Sequence, residues 1–408
     1  MADTTTTREA PRKRTVIFII PSLYRAGAER VLHEVVSHLD KTLYGCHVIC
    51  FFRQPNPFTF DPSVTISYLF PHPPFKVSEG FPKRFAKLIN AMRISYRLAT
   101  SLRRFPSDAV LIPFVECTTL HTALAQCFTK RPVIARPAST GMAFVRYAFH
   151  SDIRRRIEVL CLTADWGLAD KIVVQSKGLK RDLVKKFSIP DRKIQRIPNP
   201  VNLGMIADMK KRPLNLDLSA FSGKPIFAHI GRLVDKKNHR LLLQACALLK
   251  HRGERFLVVC AGSGPMERRI IQLIRDFELD RHVIMVGNLS NPFALMAKAR
   301  ALLLTSSHES FSLVLIEAMA SGTAVISVDC PYGPEDILEG GKFGLLVPLN
   351  DPGALADAMA KMIHDHRLFE EFKKRGRQRA RDYNVHLIAK KWERLLEDTS
   401  DTGAWCRR

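Results

Sequence analysis

The sequence predicts an α/β protein of two doubly wound units, each with a mostly parallel sheet, facing each other across a cleft. Two observations carry this. Short apolar runs rich in β-branched residues alternate with amphipathic helical segments along the chain, as repeated strand–helix–strand units require. The alternation pauses over 198–225, a stretch with Pro198, Pro200, Pro213 and Gly223 and little periodicity, and then restarts. A length of 408 residues suits two units, and 46% hydrophobic with 25% charged residues can fill two cores.

Each element follows from its pattern. A polar, Thr-rich, basic tail over 1–14 is expected to be disordered, and the first unit spans 15–200. Residues 15–20 read as a buried first strand. Their apolar run is only about five residues and stops at Pro21 and Ser22, too short for a signal-peptide core, so no secretion signal is expected. In 28–39 the residues Val31, Leu32, Val35, Val36 and Leu39 recur on one face of a helix. A strand over 46–52 follows, then an irregular Pro- and Phe-rich stretch over 55–82, a basic amphipathic helix over 83–103 and a strand over 109–114. Segments 118–127, 132–135, 153–164 and 171–175 continue the alternation. A linker over 201–225 leads to the second unit, 226–380. There the strands are 226–230, 255–261, 283–287, 301–305 and 324–328, and the helices 240–250, 267–277 and 313–320. A final segment, 381–408, holds an amphipathic helix at 386–396. It carries Leu387, Ile388, Trp392, Leu395 and Leu396 on one face and is expected to pack on one of the units.

Composition narrows the function classes. No run approaches the roughly 18 apolar residues of a membrane-spanning helix. The nine cysteines are scattered with no C-x-x-C pair, which points to a reducing, cytoplasmic setting and to no structural metal. The net charge is +24 and uneven: residues 1–212 carry 35 Lys and Arg against 16 Asp and Glu. Cations gather over 76–104 and 130–156, including Arg154, Arg155 and Arg156. Such a face concentrates near a polyanion, whether an anionic membrane leaflet or a phosphorylated acceptor, or is simply well solvated. Nucleic acid is disfavoured, because these clusters lack the interleaved aromatics on which bases stack.

Four loops fall just after strand ends, where open α/β sheets bind ligands. In the first, 22–30, Gly27 permits close backbone approach and the next helix offers free N–H groups to an anion. A glycine before a helix is equally an ordinary turn residue. The second runs from Gly231 to Asn238. There Arg232 supplies a planar fork and Lys237 a point charge, together suited to a diphosphate, unless both are solvated loop cations. In the third, Gly262 and Gly264 flank Ser263, and Pro265 opens a helix. This suits a nucleotide and also any tight turn. The fourth spans 308–319. Glu317 lies there among Val314, Leu315, Ile316 and Met319, where an acid needs a partner, and vicinal ribose hydroxyls are one. Glu309 precedes the helix and would face a sugar or its phosphate. The bland alternative is a pair of surface carboxylates.

Together these segments resemble the retaining glycosyltransferases of GT-B architecture, of the family 4 or group 1 type that assembles polysaccharides and lipid-linked glycans. The residues that carry the resemblance are Gly27-Ala28-Glu29-Arg30, Gly231-Arg232-Leu233 with Lys237-Asn238, Gly262-Ser263-Gly264-Pro265, and Glu309 and Glu317 separated by seven residues. Further agreement lies in Ile197-Pro198-Asn199-Pro200-Val201, in Gly333 to Leu338 and in Gly344 to Pro348. The resemblance covers roughly 15–395 and is most specific over 231–348.

It implies transfer of a sugar, with retention, from a nucleotide-sugar to a glycan or lipid-linked acceptor. A UDP-sugar is favoured as donor and GDP-mannose is the second choice. No cofactor or metal ion is implied. Arg232 and Lys237 would stabilise the leaving diphosphate. Glu317 would hold the ribose, and Glu309 would sit by the donor sugar. Gly27, Gly231, Gly262 and Gly264 would let backbone approach the donor, and N–H groups of Phe311, Ser312 and Leu313 would reach sugar or phosphate. The implied setting is cytoplasmic, peripheral on the inner face of the cytoplasmic membrane. This chain departs from the pattern at two places. Ala26 stands where the first loop often has a second glycine, and the segment after 132–135 reads Arg136-Pro137-Ala138-Ser139-Thr140 where many relatives carry a His. Arg136 or Glu116 could take that place. An epimerase of the same fold and a catalytically silent, basic membrane-docking protein are the competing readings.

Overall fold

In a computed structural model of the chain, residues 13–24, 27–72, 83–138, 145 and 151–401 are described. Of the tail expected over 1–14, residues 1–12 lie outside them, as do Ala26, Ser139, Thr140 and residues 402–408, whereas Lys13 and Arg14 are described and Arg14 begins the first strand, where it pairs with the chain rather than hanging free. The first unit is built on β1 (Arg14–Ile20), whose last five residues are wholly buried because both sheet faces are covered. β1 pairs in parallel with β2 (Tyr44–Phe52) on one side and β4 (Val110–Pro113) on the other. β3 (Thr65–Phe70) closes the edge, giving the order β3-β2-β1-β4. A bridge between Leu111 and Val133 continues the sheet into β5 (Ile134–Ala135), β6 (Lys171–Val174) and β7 (Ile194–Arg196).

Helix α1 (Gly27–His38) covers one face. Helices α2 (Lys83–Leu102), α3 (Glu116–Thr129), α4 (Asp152–Leu168) and α5 (Lys177–Lys186) cover the other. The stretch expected to be irregular, 55–82, contains β3. As an edge strand it has one pairing partner, β2, and only Leu69 is buried, so its pattern is too weakly apolar to announce a strand. The expected linker is also more ordered than its prolines suggest. Helix α6 (Leu203–Met209) occupies it, the Asn202 side chain capping the Met205 N–H at 3.0 Å.

The second unit is a six-stranded parallel sheet in the order β10-β9-β8-β11-β12-β13. Its strands are β8 (Ile226–Ile230), β9 (Leu257–Ala261), β10 (Val283–Met285), β11 (Ala301–Leu304), β12 (Ala324–Val328) and β13 (Leu345–Val347). The connecting helices are α7 (His239–His251), α8 (Glu267–Asp276), α9 (Pro292–Lys298), α10 (Leu313–Ser321), α11 (Gly333–Leu338), α12 (Pro352–His364) and α13 (His366–Arg381). The chain then returns. Helix α14 (Val385–Asp401) sets Ile388, Trp392, Leu395 and Leu396 into the core of the first unit beside α1. Leu387, expected on that face, is exposed. The outgoing and returning crossings lie side by side: Val201 N–H donates to Tyr383 O at 2.8 Å and Val385 N–H to Val201 O at 3.1 Å.

Candidate active site

The loops after β8, β9 and β10 stack on one another at the cleft end of the second sheet. Gly231 N–H donates to Ala261 O at 3.0 Å, Leu233 N–H to Ser263 O at 2.9 Å, and Gly262 N–H to Gly287 O at 2.7 Å. The approach is so close that a β carbon on Gly262 would clash with the Gly231 carbonyl oxygen, and one on Gly264 with that of Leu233. These two glycines are therefore required by loop-on-loop packing. Gly231 faces the Lys237 side chain. Gly27 differs from its expectation. It begins α1 without a positive φ, and a β carbon there would meet only Leu313, at 4.0 Å across the cleft.

Loop 231–238 is pinned to the loop after β11: the Thr305 hydroxyl donates to Lys237 O at 2.8 Å and Ser307 N–H to Lys236 O at 2.8 Å. This brings Lys237 to Glu309, with Nζ 2.6 Å from Oε1, while the Ser306 hydroxyl donates to the same oxygen at 2.8 Å. Lys236 lies 3.9 Å from the other oxygen. The Glu309 backbone is fixed as well, since Tyr332 N–H donates to its carbonyl at 2.6 Å. Burial raises the Glu309 carboxyl, but Lys237 and Lys236 outweigh it and bring it down to about 2. Such a group stays ionised at neutral pH and is a poor proton acceptor. It accepts hydrogen bonds and aims Lys237. Neighbouring His308 is held neutral, burial and then Lys236 lowering it to about 4.

Glu317, in the second turn of α10, is buried as its apolar neighbours require. Its partner is a protein group from the opposite unit: Arg30 Nη1 lies 2.7 Å from Oε1. Arg30 and Gly27 share one face of α1, three residues apart, so one helix turn supplies both cross-cleft contacts. Ahead of Glu317, Phe311 is buried against Tyr383, with ring centroids 5.5 Å apart. Ser312 caps α10 in a left-handed conformation, φ 62°, and its hydroxyl is buried with no hydrogen-bond partner. Leu313 and Val314 open the helix, so their N–H groups have no intrahelical acceptor.

Arg136 is a buried cation of the first unit. It is buried under Phe114, 4.1 Å from the ring centroid, and donates to Asn199 Oδ1 at 2.6 Å. Burial lowers it to about 9, and Glu116 and then Glu29 oppose that, so it is cationic at neutral pH. Glu116 opens α3 and accepts from the Ala138 N–H at 2.8 Å. Burial raises Glu29, and the charges of Arg232 and Arg136 oppose it. One Glu29 oxygen and one Arg136 nitrogen are buried without a hydrogen-bond partner. Arg232 itself is exposed.

Lys237 and Glu309 thus meet within the second unit and Glu317 meets Arg30 across the two units, while Gly262, Gly264 and Phe311 lie in packing contacts. Sequence reading missed that Arg30 is the partner of Glu317, and that Tyr332 and Ser306 hold Glu309. The i, i+3 spacing of Gly27 and Arg30 could have flagged the first. The others depend on contacts far apart in sequence.

Two parallel α/β units joined by a double crossing, with a charged cleft at their strand ends, make a GT-B architecture. Solved structures agree on the fold. Sucrose-phosphate synthase from Thermosynechococcus elongatus superposes with TM-score 0.76 at 20% identity, over 95% of this chain and 99% of that one. Anabaena HepE in complex with UDP and glucose gives 0.74 at 17% identity, over 94% and 100%. Family models match both halves, Glycosyltransferase Family 4 over 25–204 and Glycosyl transferases group 1 over 215–379. Among curated relatives is a Campylobacter jejuni N-acetylgalactosamine-N,N'-diacetylbacillosaminyl-diphospho-undecaprenol 4-alpha-N-acetylgalactosaminyltransferase. It is 32% identical over 260 residues, 64% of this chain and 68% of that one. A second enzyme of that organism, a GalNAc-alpha-(1->4)-GalNAc-alpha-(1->3)-diNAcBac-PP-undecaprenol alpha-1,4-N-acetyl-D-galactosaminyltransferase, is 25% identical over 95% of this chain and 99% of its own length. The chain belongs to the family 4, group 1 glycosyltransferases, and it is an enzyme that transfers sugars.

Proposed function

We propose that this chain transfers a sugar from a UDP-sugar to a lipid-linked, diphosphate-bearing glycan, with retention and without a metal ion. The observation that carries the reading is the convergence in one cleft of Arg232, the Lys237–Glu309 pair and the α10 N-terminus with Glu317 behind it. In this reading Arg232, Lys237 and the first-turn N–H groups of α10 receive the diphosphate, with the Ser312 hydroxyl beside them. As the bond from the sugar's C1 to the phosphate oxygen breaks, negative charge grows on the leaving diphosphate. Fixed cations stabilise it there without reorganising. That is the work a divalent ion would otherwise do.

Glu317 takes the ribose hydroxyls, exchanging Arg30 for them, and Glu309 accepts from the sugar. The loops carrying Gly231, Gly262 and Gly264 approach the nucleotide. Glu29, Glu116 and Arg136 line the acceptor side. UDP stands ahead of GDP because HepE, of the same fold, binds UDP. Lipid-linked acceptors and α products are named for the two Campylobacter enzymes, and an α product from an α-linked donor is retention. Among the described residues no helix is long and apolar enough to cross a membrane. The basic first unit suits attachment to the inner membrane face instead.

The test is donor profiling of the purified chain with UDP-, GDP- and other nucleotide sugars, by thermal stabilisation and slow donor hydrolysis, with EDTA in parallel. One nucleotide class should stabilise the protein with or without EDTA, and Arg232→Ala and Glu317→Ala should abolish the shift. No response to any donor would sink the proposal.

A further inference from the structure

Helix α3 is amphipathic the wrong way round. Its buried side carries Thr118, Thr119, His121 and Thr122 beside the small Ala123 and Ala125. Its outward side carries Leu120 and Leu124, both 41% exposed, and Phe128, 73% exposed. The buried hydroxyls are satisfied locally: Thr118 donates to Val115 O at 2.7 Å and Thr122 to Thr118 O at 2.7 Å, while His121 Nδ1 meets Ser95 Oγ at 3.0 Å. A helix meant to face water places these residues in the opposite sense. Its neighbour α2 adds Ile89, Met92 and Tyr96 on one exposed face, and α4, on the other side, adds Ile153 and Leu160. Apolar side chains recurring over three adjacent helices form a patch, whereas single exposed apolar residues need no explanation.

Charge surrounds it. α2 contains five Lys and Arg and no Asp or Glu. Among the described side chains, exposed Arg93, Arg97, Arg103, Arg104, Lys130 and Arg156 stand on or beside the three helices, against exposed Asp108 and Asp152, the latter already paired with Arg155. An apolar centre with a cationic rim matches an anionic lipid surface, which offers acyl chains to the one and phosphates to the other. The patch is also continuous with the site. Glu116, beside Arg136 at the cleft, is the first residue of α3, and Phe128 lies about 18 Å along the same helix.

We infer that the outward face of α2, α3 and α4 seats the enzyme on an anionic bilayer, Leu120, Leu124 and Phe128 entering the headgroup boundary. This rests on the reading that the acceptor is lipid-linked. It names the surface that brings the cleft to such an acceptor.

The test is co-sedimentation with vesicles of phosphatidylcholine alone or mixed with phosphatidylglycerol. The parent should bind the anionic vesicles, less so at high salt, and scarcely bind the neutral ones. Leu120→Ser/Leu124→Ser/Phe128→Ser should cut binding by about tenfold or more, yet keep donor hydrolysis with only a modest drop in Tm, because Leu120 and Leu124 are partly and Phe128 largely exposed in the free protein. In case that variant misfolds, Phe128→Trp gives an independent signal, a blue-shifted emission on anionic vesicles. Undiminished binding of the triple variant or an unshifted Phe128→Trp emission would overturn the inference. So would a parent that forms a dimer which the triple variant dissolves, since a second copy would then cover the patch. Donor hydrolysis read on the same samples separates the claims: turnover without vesicle binding defeats only the docking surface, and binding without turnover defeats the proposed reaction.

Discussion

Lys237→Met tests the centre of the site, because Lys237 is what makes a buried Glu309 tolerable. In the folded protein Glu309 lies near 2, against 4.5 for an unperturbed glutamate. That depression corresponds to about 3 kcal/mol of folding stability at neutral pH. Lys236 at 3.9 Å and the Ser306 hydroxyl would retain part of it, so the expected loss is roughly 2–3 kcal/mol, within the range for breaking one side of a buried pair. The sign is fixed. A depressed carboxyl contributes fully above its unfolded value, so the gap between parent and variant should be complete above about pH 4.5 and shrink below it.

Glu309→Gln leaves a lysine with some solvent access and should cost less. The double variant should return to within about 1 kcal/mol of the parent, a coupling of about 2 kcal/mol. Trp166 and Trp392 sit in the cores of the first unit and would not report this. Amide hydrogen exchange over 229–241 and 301–317 would, read with donor turnover, which should be lost in all three variants. A Lys237→Met cost below about 0.5 kcal/mol with additive singles would refute the pairing.

Other expectations are briefer. Gly262→Ala and Gly264→Ala each place a β carbon onto a carbonyl of the facing loop, so both should lower Tm and weaken UDP-sugar binding by isothermal titration more than Gly27→Ala does. Glu317→Gln should lower donor affinity about tenfold or more. Arg30→Ala, which removes a partly exposed partner, should change it only a few-fold, and equal effects would mean Arg30 itself holds the donor. Burial, then Lys237, lowers His239 to about 4. A histidine depressed on folding costs stability as pH falls below its unfolded value, so His239→Gln should reduce the stability lost between pH 7 and pH 5 in thermal scans by about 2 kcal/mol, with His229 and His308 supplying a loss that remains.

What could be read of the fold beforehand depended on burial. Central strands such as β1 and β8 are covered on both faces, so their sequences are nearly continuous apolar runs that no other element imitates. β3, paired on one side only, carries no such signature and passed for loop. α6 was hidden by the prolines around it, because its start is set by one side chain, that of Asn202. The destination of α14 was undetermined for another reason. Periodicity shows that a helix has an apolar face but not which core receives it, and the bridge between Val201 and Asn384 decides that.

The site was legible to the extent that chemistry sits in contiguous loops. Arg232, Lys237, Glu309 and Glu317 were all identifiable, yet their pairing was not, because a lone loop says only that a charge is present. Glu317 illustrates why. Its apolar neighbours on α10 correctly required a partner, and a ligand hydroxyl was the only one a local reading could offer. The actual partner, Arg30, lies in the other unit, brought within 2.7 Å by the double crossing at 201 and 384. Glu29 extends the point, since it feels the charge of Arg136 in its own unit and of Arg232 in the other. In this cleft the two halves neutralise each other's charges before any donor arrives. If the donor takes Glu317 from Arg30, as proposed, the cost of separating that pair is part of donor affinity.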